Sequence, residues 1–522
     1  MKGTTYIAAE LTRLGPTPAG DNGTFVQVLP YHLRAFTNHS QLTVRGNPLR
    51  WERDWVVVPG PRAPRPINVA EVVFGGTAGD TSQQLAPGQA TGKFIVLLAP
   101  PAPARSAALA PGRFAPPAPS RFADAAAVAI VDLDPLTPAQ RTAINVPTVA
   151  TQSTGGRGRP GARAPAGDSL TLLRQQVEQL APRPSLRLTS EAATRLFGVR
   201  SVDALTPGVR GGTLTASLDD VELPSDYARN VVAINPGSDP ALAGQYVAIG
   251  AHNDHVGPTT PVDKDALKAF NNERNKRLLA NNVVALTPTQ LGEIRVNMDS
   301  LRRRIPTARL DSISNGAGDD GSGSMAVLEI AEYLQAMKVK PKRSTLFVWH
   351  IGEEVGLIGS AFFTRNPTAP MDSVVSQLNI DMIGRGREGD LRGGSPDYLG
   401  VVGSCFDSKD LGEAAAAVNR KQENALAFDY KCDSTLAWTG ENNIYQRSDQ
   451  HNYALQGVPI AFFFTGLHGD YHQRSDEAEF IDYPHYACIT SYIRDLAVDV
   501  SNGPRPRMNG TRPARPTRTI VP

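Results

Sequence analysis

Apolar positions along this chain follow two periodicities, and the changes between them mark its parts. Near the N-terminus Ile7, Leu11 and Leu14 recur at helical spacing and stop at Gly15-Pro16, so the spacing predicts a short helix over 5–14. Residues 25–29, 42–44 and 55–58 read as strands separated by turns. From about 57 to 205 the apolar runs are short and β-type, 94–98 and 128–131 among them, set in Pro, Gly and Ala, so this stretch reads as a separate β-rich module. Within it, 100–120 and 153–166 are so rich in Pro, Gly, Ala and Arg that exposed loops are expected. After Pro224 strand and helix patterns alternate: buried strands at 231–234, 246–249, 346–349, 376–380 and 460–464, and a helix over 325–337. That alternation predicts an α/β fold with a mostly parallel sheet flanked by helices.

The interval 258–314 interrupts the rhythm with a polar segment rich in Asn, Lys and Arg, carrying two expected helices over 264–280 and 289–304. It is either a lid that selects substrate or a solvated helical hairpin packed on the surface. A length of 522 residues, 41% hydrophobic and 20% charged, is globular composition and long enough for two or three domains. A net charge of +2 gives no electrostatic case for nucleic acid as a partner. No apolar run approaches the roughly 20 residues needed to span a bilayer. Cys405, Cys432 and Cys488 are too few and scattered for a disulfide framework or a cysteine-rich zinc site, though one bridge among them stays open. Met1-Lys2-Gly3-Thr4-Thr5 lacks a signal peptide's apolar core. The expectation is a secreted or periplasmic protein whose export segment is absent from this chain, with cytoplasmic residence as the alternative.

Candidate chemistry collects where the strands end. His252 and Asp254 follow the apolar run Ala248-Ile249-Gly250-Ala251, which places them at the carboxyl edge of the sheet, where open α/β folds bind ligands. His252 is a candidate metal ligand, and Asp254 is suited to accept from its other ring nitrogen and fix its tautomer. Alone, a His-x-Asp after a strand is a weak signal. The glycine-rich turn 316–323 brings in Asp319 and Asp320; glycines let the backbone carry carboxylates close to a cation, although an acidic helix start would look the same. Glu353 and Glu354 follow the apolar strand 346–349, where adjacent carboxylates are unfavourable unless a cation neutralises them. Asp381 and, in a late loop, His472 complete a set of imidazoles and carboxylates suited to paired divalent cations. Nitrogen and oxygen donors without thiolates suit zinc, with manganese or cobalt able to fill the same shell. His255, His350, His451 and His468 lie near these segments; none is needed to complete the set, so structural or supporting roles are expected of them.

In this order the segments resemble the zinc aminopeptidases related to bacterial leucine aminopeptidases, a family that also takes in glutamate carboxypeptidases and the transferrin receptor. The resemblance runs from about 226 to 497, with the insertion as its main departure. It implies a zinc exopeptidase-like fold with two Zn2+ ions. His252, Asp319 and Asp381 would hold one ion and Asp319, Glu354 and His472 the other, with Asp319 bridging, Glu353 as general base and Asp254 orienting His252. The upstream β-rich module resembles a protease-associated domain in 94–98, 123–132 and Asn145-Val146-Pro147-Thr148-Val149. The expected layout is 1–56 as the N-terminal segment of the catalytic domain and 57–205 as the inserted protease-associated-like domain. The zinc peptidase domain then covers 206–503, interrupted by 258–314, with a disordered tail at 504–522.

The activity this implies is an aminopeptidase that releases N-terminal residues from peptide substrates. Arg385, Arg447 and Arg474 lie near site segments and could hold a terminal carboxylate, which keeps a carboxypeptidase of the same family open. Arg447, Ser448 and Asp449 occupy a position where the family has a comparable Ser-Asp element; they either line the substrate pocket or form a structural turn. A glutaminyl-cyclase-like transferase and a non-catalytic, receptor-like binding protein are the other classes. The full ligand set with Glu353 speaks against the second, and together with the upstream module it tilts away from the first.

Overall fold

Runs of apolar and β-branched residues fully buried on both faces, Ser344–His350 and Val374–Ile380 above all, form the centre of a nine-stranded sheet in the computed structural model. The described residues are 2–60, 64–78, 82, 84–99, 121–145, 148–150, 182–225, 228–283, 286–430 and 444–509. Four strands run parallel in the order Ser344–His350, Tyr246–His252, Val374–Ile380 and Ile460–Phe464. Arg229–Asn235 lies antiparallel on one side, and Tyr398–Val402 lies antiparallel on the other. In the register His252 stands beside His350 and Gly250 beside Asn379, so neighbouring strands stop at one edge and deliver the residues that follow them to one crevice. The Gly323–Ala336 and Tyr483–Asn502 helices pack on this sheet through Val327, Ile330, Leu334, Ile489, Ile493 and Leu496, all buried. Both Tyr398–Val402 and its short parallel neighbour Ala427–Asp429 went unanticipated, the latter because three residues carry no readable period.

The first helix is Lys2–Leu14, and its Ile7 and Leu11, one turn apart, are buried in the same core. It stops where Gly15 takes φ 86° and its N–H bonds back to the Leu11 carbonyl, a left-handed helix ending that suits glycine.

The described residues divide into two units: those up to 29 with those from 228 to 509, and those within 30–225. The strands Tyr31–Phe36, Gln41–Val44, Asn47–Leu49 and Trp55–Val58, expected in the catalytic part, pair within the second unit, as do Arg210–Ser217 and Asp220–Ser225. Arg210–Ser217 escaped notice because only Leu214 among its residues is buried, so it shows no apolar run. The larger sheet of this unit has a parallel core of Ile67–Thr77, Phe94–Leu98, Ala127–Val131 and Ser185–Leu188.

The interval 258–314 is framed by antiparallel strands, Pro258–Asp263 and Leu310–Ile313. Its first helix is Lys264–Asn281, as the spacing predicts, but the second splits into Pro288–Gly292 and Met298–Arg304. Gly292 ends one piece, and the Asn297 side chain caps the next by accepting from Ser300 N–H. The run Arg302-Arg303-Arg304 closes that last turn, where cations are favoured, and Arg302 pairs with Asp263.

Residues 504–509, expected to begin a disordered tail, lie against the first unit: Arg507 pairs with Asp410, and Asn509 Nδ2 donates to the Cys405 and Phe406 carbonyls. Cys488 is a free thiol, so it takes no part in the bridge left open. Cys432, the expected loops at 100–120 and 153–166, Val146-Pro147 and the tail beyond 509 lie outside the described residues. No helix among the described residues is long and apolar enough to cross a membrane. Leu11→Ala should lower stability by about 2–5 kcal/mol through lost burial and the remaining cavity, read as a fall in denaturant midpoint. Thr12→Ala, on the exposed face of the same helix, should change it by less than about 0.5 kcal/mol.

Candidate metal centre

Each expected metal ligand follows or ends a sheet strand or sits in a turn fixed by a buried carboxylate, and the structure brings all of them together. His252 is the last residue of its strand, with Nε2 3.1 Å from Asp319 Oδ1 and 3.7 Å from Asp381 Oδ1. His472 Nε2 lies 3.0 Å from the other oxygen of Asp319 and 3.0 Å from Glu354 Oε1. Asp319 therefore turns one oxygen toward each imidazole, and the donors form two groups that share it. His252 Nε2, Asp381 Oδ1 and both oxygens of Glu354 are buried without a hydrogen bond, although they approach other donors closely. Donors facing one another at such distances without hydrogen-bond geometry are arranged as around a common cation, and their types suit zinc.

Burial alone would raise Asp319, but the His252 and His472 imidazoles hold its carboxyl well below the usual range. Burial likewise disfavours charge on His472, and Asp319 and Glu354 reverse this, raising it to about 9. Burial pushes Glu353 well above the ordinary carboxylate range, against the pull of His252, with Asp381 and Glu354 adding to the rise. Both Glu353 oxygens are buried and make no hydrogen bond, while its main-chain N–H is held at 3.1 Å by Asp254 Oδ1.

Asp254 works differently from the expectation. His252 Nδ1 lies 3.0 Å from the Asp254 carbonyl oxygen but 3.6 Å from its carboxylate, beyond hydrogen-bond length. The carbonyl orients the ring, and the carboxylate instead pins the turn after the neighbouring strand by accepting from Glu353 and Glu354 N–H. Two further acids hold the site in ways the sequence did not announce. Asp320 accepts from the main-chain N–H of His252, Gly323 and Met382, tying two strand ends to the turn; its peptide bond to Asp319 is cis. Asp476 Oδ2 accepts from Gly318 and Asp319 N–H at 2.9 and 3.1 Å, which fixes the shared carboxylate from behind. Gly318 is required there: a Cβ would stand 2.8 Å from His468 Nε2 and 3.0 Å from Asp476 Oδ1. No sequence signal marks Asp476, whereas Asp320 stood visible beside Asp319.

His255, expected to play a supporting part, stands in the second donor group with Nδ1 2.8 Å from Glu354 Oε1. Its place three residues after His252 was the available signal. Ser448 and Asp449 are buried: Asn379 Nδ2 donates to Ser448 Oγ at 3.0 Å, and Asp449 lies 3.4 Å from His350 Nδ1. Arg447, the third residue of that group, does line a crevice beside Asp319 and Asp381, whose other walls include Ile444, Phe464, Leu467 and Tyr471. Of the remaining arginines, Arg385 is engaged by Asp470 at 2.7 Å and by the Phe480 carbonyl.

Among known proteins, the chain is 44% identical over 80 residues to leupeptin-inactivating enzyme 1 of Streptomyces exfoliatus, covering 15% of this chain and 18% of that one. It is 32% identical over 170 residues to an aminopeptidase of Pseudomonas aeruginosa, covering 31% of this chain and 28% of that one. The chain thus spans less than a third of the length of these curated relatives. Among solved structures, a zinc aminopeptidase from Bacillus subtilis aligns with 15% identity and a TM-score of 0.48, covering 98% of this chain and 90% of that one. The family model for peptidase family M28 matches residues 230–497, half of the chain and every donor described above, and the chain belongs to that family.

Proposed function

We propose that this protein is a two-zinc exopeptidase that removes residues from the amino end of peptides. The observation that carries the reading is Asp319, a single buried carboxylate with one oxygen toward each of two donor groups. His252 and Asp381 would complete the holding of one ion, and Glu354, His472 and His255 that of the other. When bound, such ions polarise a scissile carbonyl and ease loss of a proton from the attacking water. Glu353 takes that proton and returns it to the leaving amine, as a general base and then a general acid. Asp254 keeps Glu353 and Glu354 in place through their main-chain N–H groups. Ile444, Phe464 and Leu467 offer an apolar wall to a substrate side chain.

Attack at the amino end is supported by the names of the aminopeptidase relatives and by the engagement of Arg385 with Asp470 and Phe480, which takes it out of carboxylate binding. One observation favours the carboxypeptidase alternative, namely the presence of Arg447 in the crevice wall. Dipeptides blocked at one end or the other decide between them. Amino-blocking is expected to abolish hydrolysis and carboxy-blocking to leave it, with chelator removing the activity that remains; the reverse pattern would assign the carboxypeptidase. Glu353→Gln should lower kcat by about 10²–10⁴-fold with zinc content nearly intact. Asp319→Ala should deplete both ions by elemental analysis, and equal metal loss in the two variants would overturn the roles given to them.

A further inference from the structure

The helix Lys264–Asn281 shows no apolar stripe, and a helix polar all round must find its partners among polar groups. Lys264, Lys268, Asn271 and Asn275 recur at spacings that put them on one face. That face meets the loop carrying His472 and its neighbours. Lys268 pairs with Asp470, and Asn271 Nδ2 donates to Ser475 Oγ at 3.0 Å, whose hydroxyl donates to Asp470 Oδ1 at 2.8 Å. Arg274 donates to the Gly469 carbonyl, Asn275 to those of Gly389 and Asp390, and Lys264 to Glu477 Oε1 at 2.8 Å. At Gly469 the two backbones come so close that a Cβ would stand 3.3 Å from Asn275 Cβ.

Asp470 is 2% exposed with the helix in place, and undocking the helix would remove Lys268 from it and leave Arg385 as its ion-pair partner. A lid must part from its seat readily, and elements that move are those held by few buried contacts. Two residues beyond Asp470, His472 holds φ 59°, in a region that side chains other than glycine rarely adopt and that persists only where surroundings impose it.

We propose that the inserted helix is a fixed clamp that sets the position of His472 through Asp470, making Lys268 and Asn271 positioning residues for one of the two cations. The proposal rests on the two-cation reading above. Because Pro258 pairs with Ile313 at the base of the insertion, residues 260–311 can be replaced by a two-residue turn. The test compares full-length wild type, that deletion, Lys268→Met combined with Asn271→Leu, and the solvent-facing control Lys276→Met. Each is titrated with zinc against a competing chelator, and amide hydrogen exchange is followed over 469–476.

Wild type should bind two ions, and the deletion and the double variant should hold one of them about 10-fold or more weakly with the other unchanged. Exchange over 469–476 should rise in both, and Lys276→Met should match wild type. Unchanged zinc affinity and unchanged exchange in the double variant would overturn the clamp, whether or not the deletion folds. Faster turnover in the deletion with both affinities intact would identify a lid instead. If wild type itself binds fewer than two ions, the two-cation reading fails, and exchange over 469–476 still decides the clamp.

Discussion

A cluster of carboxylates buried with almost no water cannot stay ionised unless positive charge neutralises it, and this constraint organises the catalytic unit. Asp319, Asp320, Glu353, Glu354 and Asp381 converge at the sheet edge, all buried, among His252, His255 and His472. The imidazoles stabilise Asp319 and Glu354, whereas Glu353 and Asp320 are pushed toward their neutral forms. Glu353, the proposed proton acceptor, is thus set apart electrostatically from Asp319 and Glu354, two of the proposed cation ligands.

Keeping so many like charges in register is the work of main-chain hydrogen bonds rather than of salt bridges. Asp320 ties His252 and Met382 to the glycine-rich turn, Asp254 ties down Glu353 and Glu354, and Asp476 reaches across to the backbone of Gly318 and Asp319. Each carboxylate accepts from the segment that presents its neighbour, so the strand ends hold one another in place. Such N–H donors replace the hydrogen bonds to water that burial removes. The inserted helix extends the same logic to the one ligand on a late loop, His472.

The expected ligand positions other than His472 were legible because they end or follow a long apolar strand or lie in a glycine-rich turn, where a run of buried residues gives way abruptly to His, Asp or Glu; His472, on a late loop, was legible only through its place in the ordered set. The central strands were legible for the same reason. Supporting roles were not: Asp476 sits in a polar loop whose partner lies far away in sequence, and Asp254 could be placed beside His252 but its reach to the next strand's turn could not. The division into units was misplaced because strands such as Arg210–Ser217 bury only one residue, and strand pairing, which the chain order does not announce, assigned them to the second unit. For the insertion, a helix without an apolar face gives no direction of docking, so only the contacts of Lys268 and Asn271 reveal what it leans on.

The proposed two-zinc centre puts Asp319 between ions held by different partners. Anomalous diffraction at the zinc edge from crystals of the full chain reads this out. Two peaks are expected, one beside His252 and Asp381, the other beside Glu354 and His472, both within ligand distance of Asp319. A single peak, or peaks that leave Asp319 in contact with only one ion, would rule the shared carboxylate out.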